Sequence, residues 1–207
     1  MKNLKLIFLA LGCMAALSLT SCLKDDDNNN NGLSEAQIAQ CVNAVRGEYT
    51  GKLVYPSQGT QYYDNADTVD VSWSIGADTM LVIKSFPVKA IGEQIYDSDL
   101  KKALTESDVK GELKCLLGFY GYNNEVLFLL GPQKMDFPIF YKGATHTLSV
   151  YFWTNDYSYG YKNPQTGEME GRIILATAII DNDESKNYIN NSPTTASVPM
   201  VFSTLIK

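Results

Sequence analysis

The chain has 207 residues, 45% of them hydrophobic and 19% charged, and 17 Lys and Arg against 23 Asp and Glu leave a net charge of −6. That is the composition of a globular domain, not of a disordered chain or a polytopic membrane protein. The acidic balance argues against nucleic acid as a partner, because binding it takes cationic surface that displaces phosphate counterions.

Lys2 and Lys5 flank the start of an apolar run, Leu6 to Leu19, broken only by Gly12, Cys13 and Ser18. The run is shorter than the about 20 residues that cross a bilayer core. Its length and flanks fit a secretory signal instead. It ends in Leu19-Thr20-Ser21-Cys22, which resembles the bacterial lipobox. The resemblance implies cleavage between Ser21 and Cys22, diacylglycerol on the Cys22 sulfur and an acyl chain on its new amine. Residues 1–21 are then a lipoprotein signal peptide, 22–33 a lipidated tether, and 34–207 a single β-rich domain. In the tether, Asn28 to Asn31 cannot bury apolar area and read as flexible. Lys24, Asp25, Asp26 and Asp27 resemble the surface-export signal of Bacteroidetes lipoproteins. That resemblance implies an outer-membrane protein, held by lipid on Cys22 and exposed at the cell surface.

Ser34, with Gln37 three residues on, forms a capping box. Ile38, Cys41, Val42 and Val45 recur at helical spacing, so the pattern predicts a helix over 35–46. Strands follow. Tyr49 to Tyr55 is the first. Val69, Val71, Trp73 and Ile75 alternate with Asp70, Ser72 and Ser74, a period of two. Met80 to Phe86 follows the Gly76-Ala77-Asp78 turn in a register the pattern leaves open. Asp97-Ser98-Asp99 ahead of Leu100, Ala103 and Leu104 predicts a short mid-chain helix. Gly111 to Tyr122 puts Leu113, Cys115, Leu117 and Phe119 on one face, and Asn123-Asn124 turns the chain into Val126 to Leu130. Thr145 to Trp153 sends Leu148, Val150 and Phe152 inward. Tyr157 to Lys162 leads into the Asn163-Pro164-Gln165-Thr166-Gly167 turn, where Gly supplies the positive φ of a bulged hairpin. Arg172 to Ile180 and Val198 to Ile206 complete about nine strands, and Pro199 suggests that the last begins at an edge.

Hairpin-length links mean antiparallel pairing, so the fold class is mainly β, a barrel or a sandwich. Gly47-Glu48-Tyr49-Thr50-Gly51, and Met80 to Phe86 followed by Ile91-Gly92, resemble calycin-like lipoproteins of Bacteroidetes over the first third of the mature chain. That resemblance favours the barrel. Lipocalins proper carry Trp where this chain has Tyr49, their later motifs are absent, and the mid-chain helix is a departure.

No P-loop, dinucleotide fingerprint, C-x-x-C, H-E-x-x-H or G-x-S-x-G occurs. The single histidine, His146, reads as a packed or rim residue, and no catalytic residue is assigned. One His and two mature cysteines besides Cys22 make a zinc site improbable. Asp181-Asn182-Asp183-Glu184 resembles the opening of a calcium loop but lacks the turn Gly and the distal Glu. It reads as a solvated acidic turn, so no metal and no cofactor are expected. Cys41 and Cys115, each on an apolar face, read as buried free thiols or as a disulfide, with the thiols favoured.

Aromatic side chains are the unusual feature. Tyr151 and Trp153 share one face of their strand, and Tyr157, Tyr159 and Tyr161 share one face of the next. The pattern predicts five aromatics on one hairpin arm. Such rings suit sugars and peptides as a binding platform, while packing against a second layer is the favoured reading. Asp67-Thr68-Val69 and Asp78-Thr79-Met80 resemble the short O-glycosylation sequon of Bacteroidetes, which makes Thr68 and Thr79 candidate sites. These features together describe a non-enzymatic envelope module for a small ligand, a glycan or a protein. The alternative is a structural or accessory subunit of an outer-membrane complex.

Overall fold

A computed structural model describes residues 32–56, 66–189 and 199–205. All but Gly32 belong to one compact unit, Leu33–Lys207. Signal residue Ser21, Cys22 and the export residues Lys24 to Asp27 lie outside the described residues.

Helix α1 (Glu35–Val45) starts where the capping box places it. The Gln37 amide donates to Ser34 Oγ at 3.3 Å, and Gln37 Oε1 accepts from the Ser34 amide at 2.9 Å. Its Cys41 and Val45 are buried.

Ten strands follow among the described residues, where about nine were expected: β1 (Gly47–Pro56), β2 (Ala66–Ile75), β3 (Met80–Pro87), β4 (Lys110–Tyr122), β5 (Val126–Pro132), β6 (Met135–Tyr141), β7 (Ala144–Trp153), β8 (Tyr159–Lys162), β9 (Met169–Ile180) and β10 (Met200–Ser203). Eight of them close an antiparallel barrel in the order β1-β2-β3-β4-β5-β8-β9-β10, with β10 paired to both β1 and β9. The last strand is therefore not an edge. Pro199 precedes its paired stretch, so the proline removes no ladder bond.

The strand that periodicity missed is β6. Pro138 sits in its middle, and among the described residues β6 is the outermost strand and pairs only with β7. An edge strand can turn its donor-free residue outward. The β6–β7 hairpin is thus inserted between β5 and β8, which pair directly. Strand β9 serves both the barrel and the β6–β7 hairpin. Met169 to Arg172 pairs with β8, and Ile174 to Ile180 pairs with β7. Helices α2 (Lys89–Gly92) and α3 (Ser98–Thr105) lie between β3 and β4 in the chain. Asp97 caps α3 by accepting from the Leu100 amide at 3.0 Å, and the Tyr141 hydroxyl of β6 donates to the same carboxylate at 3.2 Å.

Side chains fill the barrel. Leu53, Trp73, Ile83, Cys115, Phe128 and Phe202 are essentially inaccessible and join one continuous apolar cluster with residues of β6, β7 and the helices. In a small barrel such filling is the rule. Trp73 stacks on Tyr49 at 5.8 Å, meets Phe202 edge-on at 5.2 Å, and donates its Nε1–H to Met169 Sδ at 3.3 Å.

Candidate functional site

The surface feature that the fold assembles is aromatic and lies on the outer wall over β4, β5 and β8. Strand alternation sends Leu113, Cys115 and Leu117 inward and leaves Leu116 and Tyr120 outside, about half exposed. Tyr120 is the extra residue of a β-bulge: Phe119 faces Phe128 and Gly121 faces Leu127, so Tyr120 has no partner on β5. A bulge of this kind re-aims a side chain. Across β5, Leu129 stands opposite Tyr159 of β8, and Tyr159 stands opposite Arg172 of β9. Tyr120, Leu129, Asp156 and Tyr159 line an open depression of about 440 Å³.

Its rim is held in place by the turn between β7 and β8. Asn155–Tyr157 forms one 3-10 turn. Ser158, fully buried, donates its hydroxyl to the Trp153 carbonyl at 2.5 Å, and the Ser158 carbonyl accepts from the Leu130 amide at 2.7 Å. The turn is thereby tied to β7 on one side and β5 on the other. Trp153 and Tyr157 sit with ring centroids 6.1 Å apart and remain 41% and 62% exposed. The Arg172 guanidinium lies 5.6 Å from the Tyr159 ring and donates to its hydroxyl at 3.3 Å. Arg172 Nε is buried and has no hydrogen-bond partner among the described residues.

The five aromatics do not share one hairpin arm. Strands β7 and β8 are not partners, because β9 lies between them. Tyr157 belongs to the turn rather than to β8. Trp153 and Tyr157 form one pair, and Tyr159 joins Tyr120 and Leu129 around the depression. Tyr161 stands farther along β8, opposite Leu127 and Glu170. Burial, then the carboxylates of Glu170, Glu125 and Glu168, push its hydroxyl pKa up. Tyr151 is half-buried on β7 with the Lys134 ammonium 5.8 Å from its ring. Sequence reasoning missed Tyr120, Leu129 and Asp156. The available signal was the pair Leu116 and Tyr120, apolar residues on the face opposite Leu113, Cys115 and Leu117.

His146 pairs with the acidic turn. Its Nδ1 lies 2.6 Å from Asp181 Oδ2, while the Thr147 amide donates to Asp181 Oδ1 at 2.9 Å. Both contacts favour the carboxylate and hold its pKa below the usual range. Asp181 and Asn182 adopt left-handed φ of 50° and 59°, a conformation that Asp and Asn tolerate. Asp183 bonds the Ser185 amide and hydroxyl rather than joining Asp181. Among the described residues no group of three or more His, Cys, Asp or Glu is placed to hold a metal. Cys41 and Cys115 are buried and unbonded. Thr68 is exposed on β2, whereas Thr79 is half-buried at a φ of 59°.

Among the described residues no helix is long and apolar enough to cross a membrane. A family model described as a domain of unknown function (DUF4840) matches residues 44–180, about two thirds of the chain, and the chain belongs to that family. The match runs from the last turn of α1 to the end of β9, so the closing strand β10 lies beyond it. No curated protein and no solved structure matches.

Proposed function

We propose that this member of the DUF4840 family is a lipid-anchored, non-enzymatic binding module that holds glycans at the outer surface of the outer membrane. The observation that carries the reading is the open depression between Tyr120 and Tyr159, with the Asp156 carboxylate on its edge. Pyranose rings present C–H faces that stack on aromatic rings. Their hydroxyls donate to a carboxylate in charge-assisted hydrogen bonds. Trp153 and Tyr157 beside the depression extend the same chemistry. The filled barrel interior turns the choice among ligands toward this outer wall and away from a small molecule held inside.

The anchoring rests on the signal run, Ser21-Cys22 and Lys24 to Asp27. The likeness to calycin-like lipoproteins is supported by the closed eight-stranded antiparallel barrel behind a short N-terminal helix. Lipid on Cys22 supplies membrane attachment, the Asn-rich tether supplies reach, and the barrel supplies a rigid wall on which the rings are fixed. O-glycosylation at Thr68 belongs to the same reading, since that hydroxyl stands on an exposed strand position.

A glycan array probed with the wild-type protein and with Tyr159→Ala tests the ligand class. Binding that Tyr159→Ala abolishes supports it. A silent array, together with a fixed partner co-purifying from detergent, returns the protein to the alternative of an accessory subunit. Metabolic labelling with a fatty-acid analogue, lost in Cys22→Ala, tests the anchor. Protease shaving of intact cells carrying Ala at Lys24 to Asp27 tests the side of the membrane.

A further inference from the structure

The aromatic depression does not end at Tyr159. The same ring also walls a smaller cavity of about 150 Å³, whose lining includes Tyr161, Glu170, Arg172 and Val201. The strand ladder explains the arrangement. Tyr159, Arg172 and Val201 stand side by side on β8, β9 and β10, and Tyr161 and Glu170 belong to the next row. Between the rows lie Gly160 and Gly171, which bring only backbone to the wall. Leu129 flanks Tyr159 on β5, and Arg172 flanks it on β9. Two strand spacings, about 10 Å, therefore separate Leu129 of the depression from Arg172 of the cavity.

The cavity carries one acid and one base. Glu170 and Arg172 are two residues apart on β9 and so share one face of it. Among the described residues no ion pair joins them. Arg172 donates to the Tyr159 hydroxyl at 3.3 Å instead. Burial, then Glu170, Glu125 and Glu168, raise the pKa of the Tyr161 hydroxyl, which sets all three carboxylates around the other row. Asp156 adds a further carboxylate on the depression side of Tyr159. Acids thus outnumber the one guanidinium along the combined lining, which disfavours an anionic ligand, and Arg172 disfavours a cationic group inside the cavity. A neutral ligand satisfies both side chains if it brings two adjacent hydroxyls, because a hydroxyl both donates and accepts. One donates to Glu170 and its neighbour accepts from Arg172, each in a charge-assisted bond.

We infer that depression and cavity form one site for a neutral oligosaccharide of at least two linked rings, in which Glu170 and Arg172 read a pair of adjacent hydroxyls on the second ring. The inference rests on the glycan reading proposed above and extends it to a ligand class and to two specificity-determining residues. Size divides the roles. The depression of about 440 Å³ has room for a ring stacked on Tyr159. The cavity of about 150 Å³ lies below the roughly 300 Å³ at which ligand pockets begin, so it takes the hydroxyl edge of a ring and not a separate ligand. Tyr159 is the wall common to both, which lets one chain of sugars cross from the first to the second.

The test is an array of methyl monosaccharides and linked di- and trisaccharides of glucose, mannose and galactose, beside their uronate and sulfated counterparts. Wild type, Tyr159→Ala, Glu170→Gln and Arg172→Gln are compared, each after a melting curve. The expected result is that neutral di- and trisaccharides bind at least about tenfold tighter than the monosaccharide, the worth of one charge-assisted hydrogen bond. Glu170→Gln and Arg172→Gln should each remove that advantage and leave monosaccharide binding unchanged. Monodeoxy disaccharides make the same test on wild type alone: loss of either of two adjacent hydroxyls on the second ring should weaken binding by a similar factor. Preference for uronates or sulfated sugars, monosaccharides bound as tightly as disaccharides, or disaccharide binding indifferent to both substitutions would overturn the inference. If Tyr159→Ala still abolishes binding in those cases, the glycan reading survives without the second subsite. A silent array overturns both.

Discussion

Gly160 and Gly171 face each other across β8 and β9, with Phe128 of β5 opposite one and Phe202 of β10 opposite the other. Four strands thus carry a row Phe-Gly-Gly-Phe in which the two rings lie over the two glycines. A Cβ on Gly171 would lie 2.0 Å from Phe202 Cζ, and one on Gly160 would lie 2.6 Å from Phe128 Cε2 and 2.5 Å from the Glu170 carbonyl oxygen. The need here is for space rather than for a left-handed backbone. Phe202 has little room to shift, because it is fully buried and already meets Trp73 edge-on at 5.2 Å. Gly171→Ala should cost about 1–3 kcal/mol, the usual range for overpacking a filled core. Gly160→Ala should do the same, and the double variant should depart from additivity because the two share one row. Urea unfolding of the three variants measures it.

The aromatic wall should behave differently from the core. Trp73→Ala empties a fully buried ring site and should cost about 3–5 kcal/mol. Trp153→Ala and Tyr159→Ala remove rings that already face solvent over 41% and 38% of their area. They should melt close to wild type while losing the glycan binding proposed for that face. A large loss of stability in both would mean that the rings serve packing, and the platform would be left without support.

Asp97 ties α3 to β6, and its carboxylate is held below the usual range. The Leu100 amide is the main cause. Burial opposes it, and the Tyr141 hydroxyl, Lys142 and Lys186 add to the lowering. A carboxylate depressed in the folded state stabilises it above the unfolded value of about 3.9, and that contribution fades as pH falls through the folded value. Asp97→Ala should cost about 1 kcal/mol at neutral pH, as loss of an N-cap does. The difference between variant and wild type should shrink on acidification to about pH 3. Asp97→Asn should keep most of the cap at neutral pH. Denaturant melts of the three proteins across that interval check the sign.

Cys41 and Cys115 should be inert in the folded protein. Burial raises both thiols above their usual pKa, with a hydrogen bond from the backbone partly offsetting it at Cys41. Thiolate is the reactive form, and neither side chain is accessible. In a soluble form that starts after Cys22, a thiol reagent should react only when denaturant is added, and two thiols should then titrate. Two thiols missing in denaturant would show a disulfide instead.

Local chemistry made much of this protein legible in one dimension. The capping box at Ser34, the cap at Asp97, the period of two in β2 and the turn at Gly167 each depend on residues within a few positions of one another. The inward faces of β4 and β7 follow from alternation in the same way. What one dimension could not give was set by neighbours distant in the chain. Pro199 reads as an edge until β10 is seen to close the barrel. The depression joins Tyr120 of β4 to Tyr159 of β8, which become near neighbours only because β5 pairs with β8 across the inserted β6–β7 hairpin. Alternation tells which way a side chain points from its own strand. Which strand lies alongside depends on how the apolar faces of the whole chain close on one another, and tertiary packing alone decides that.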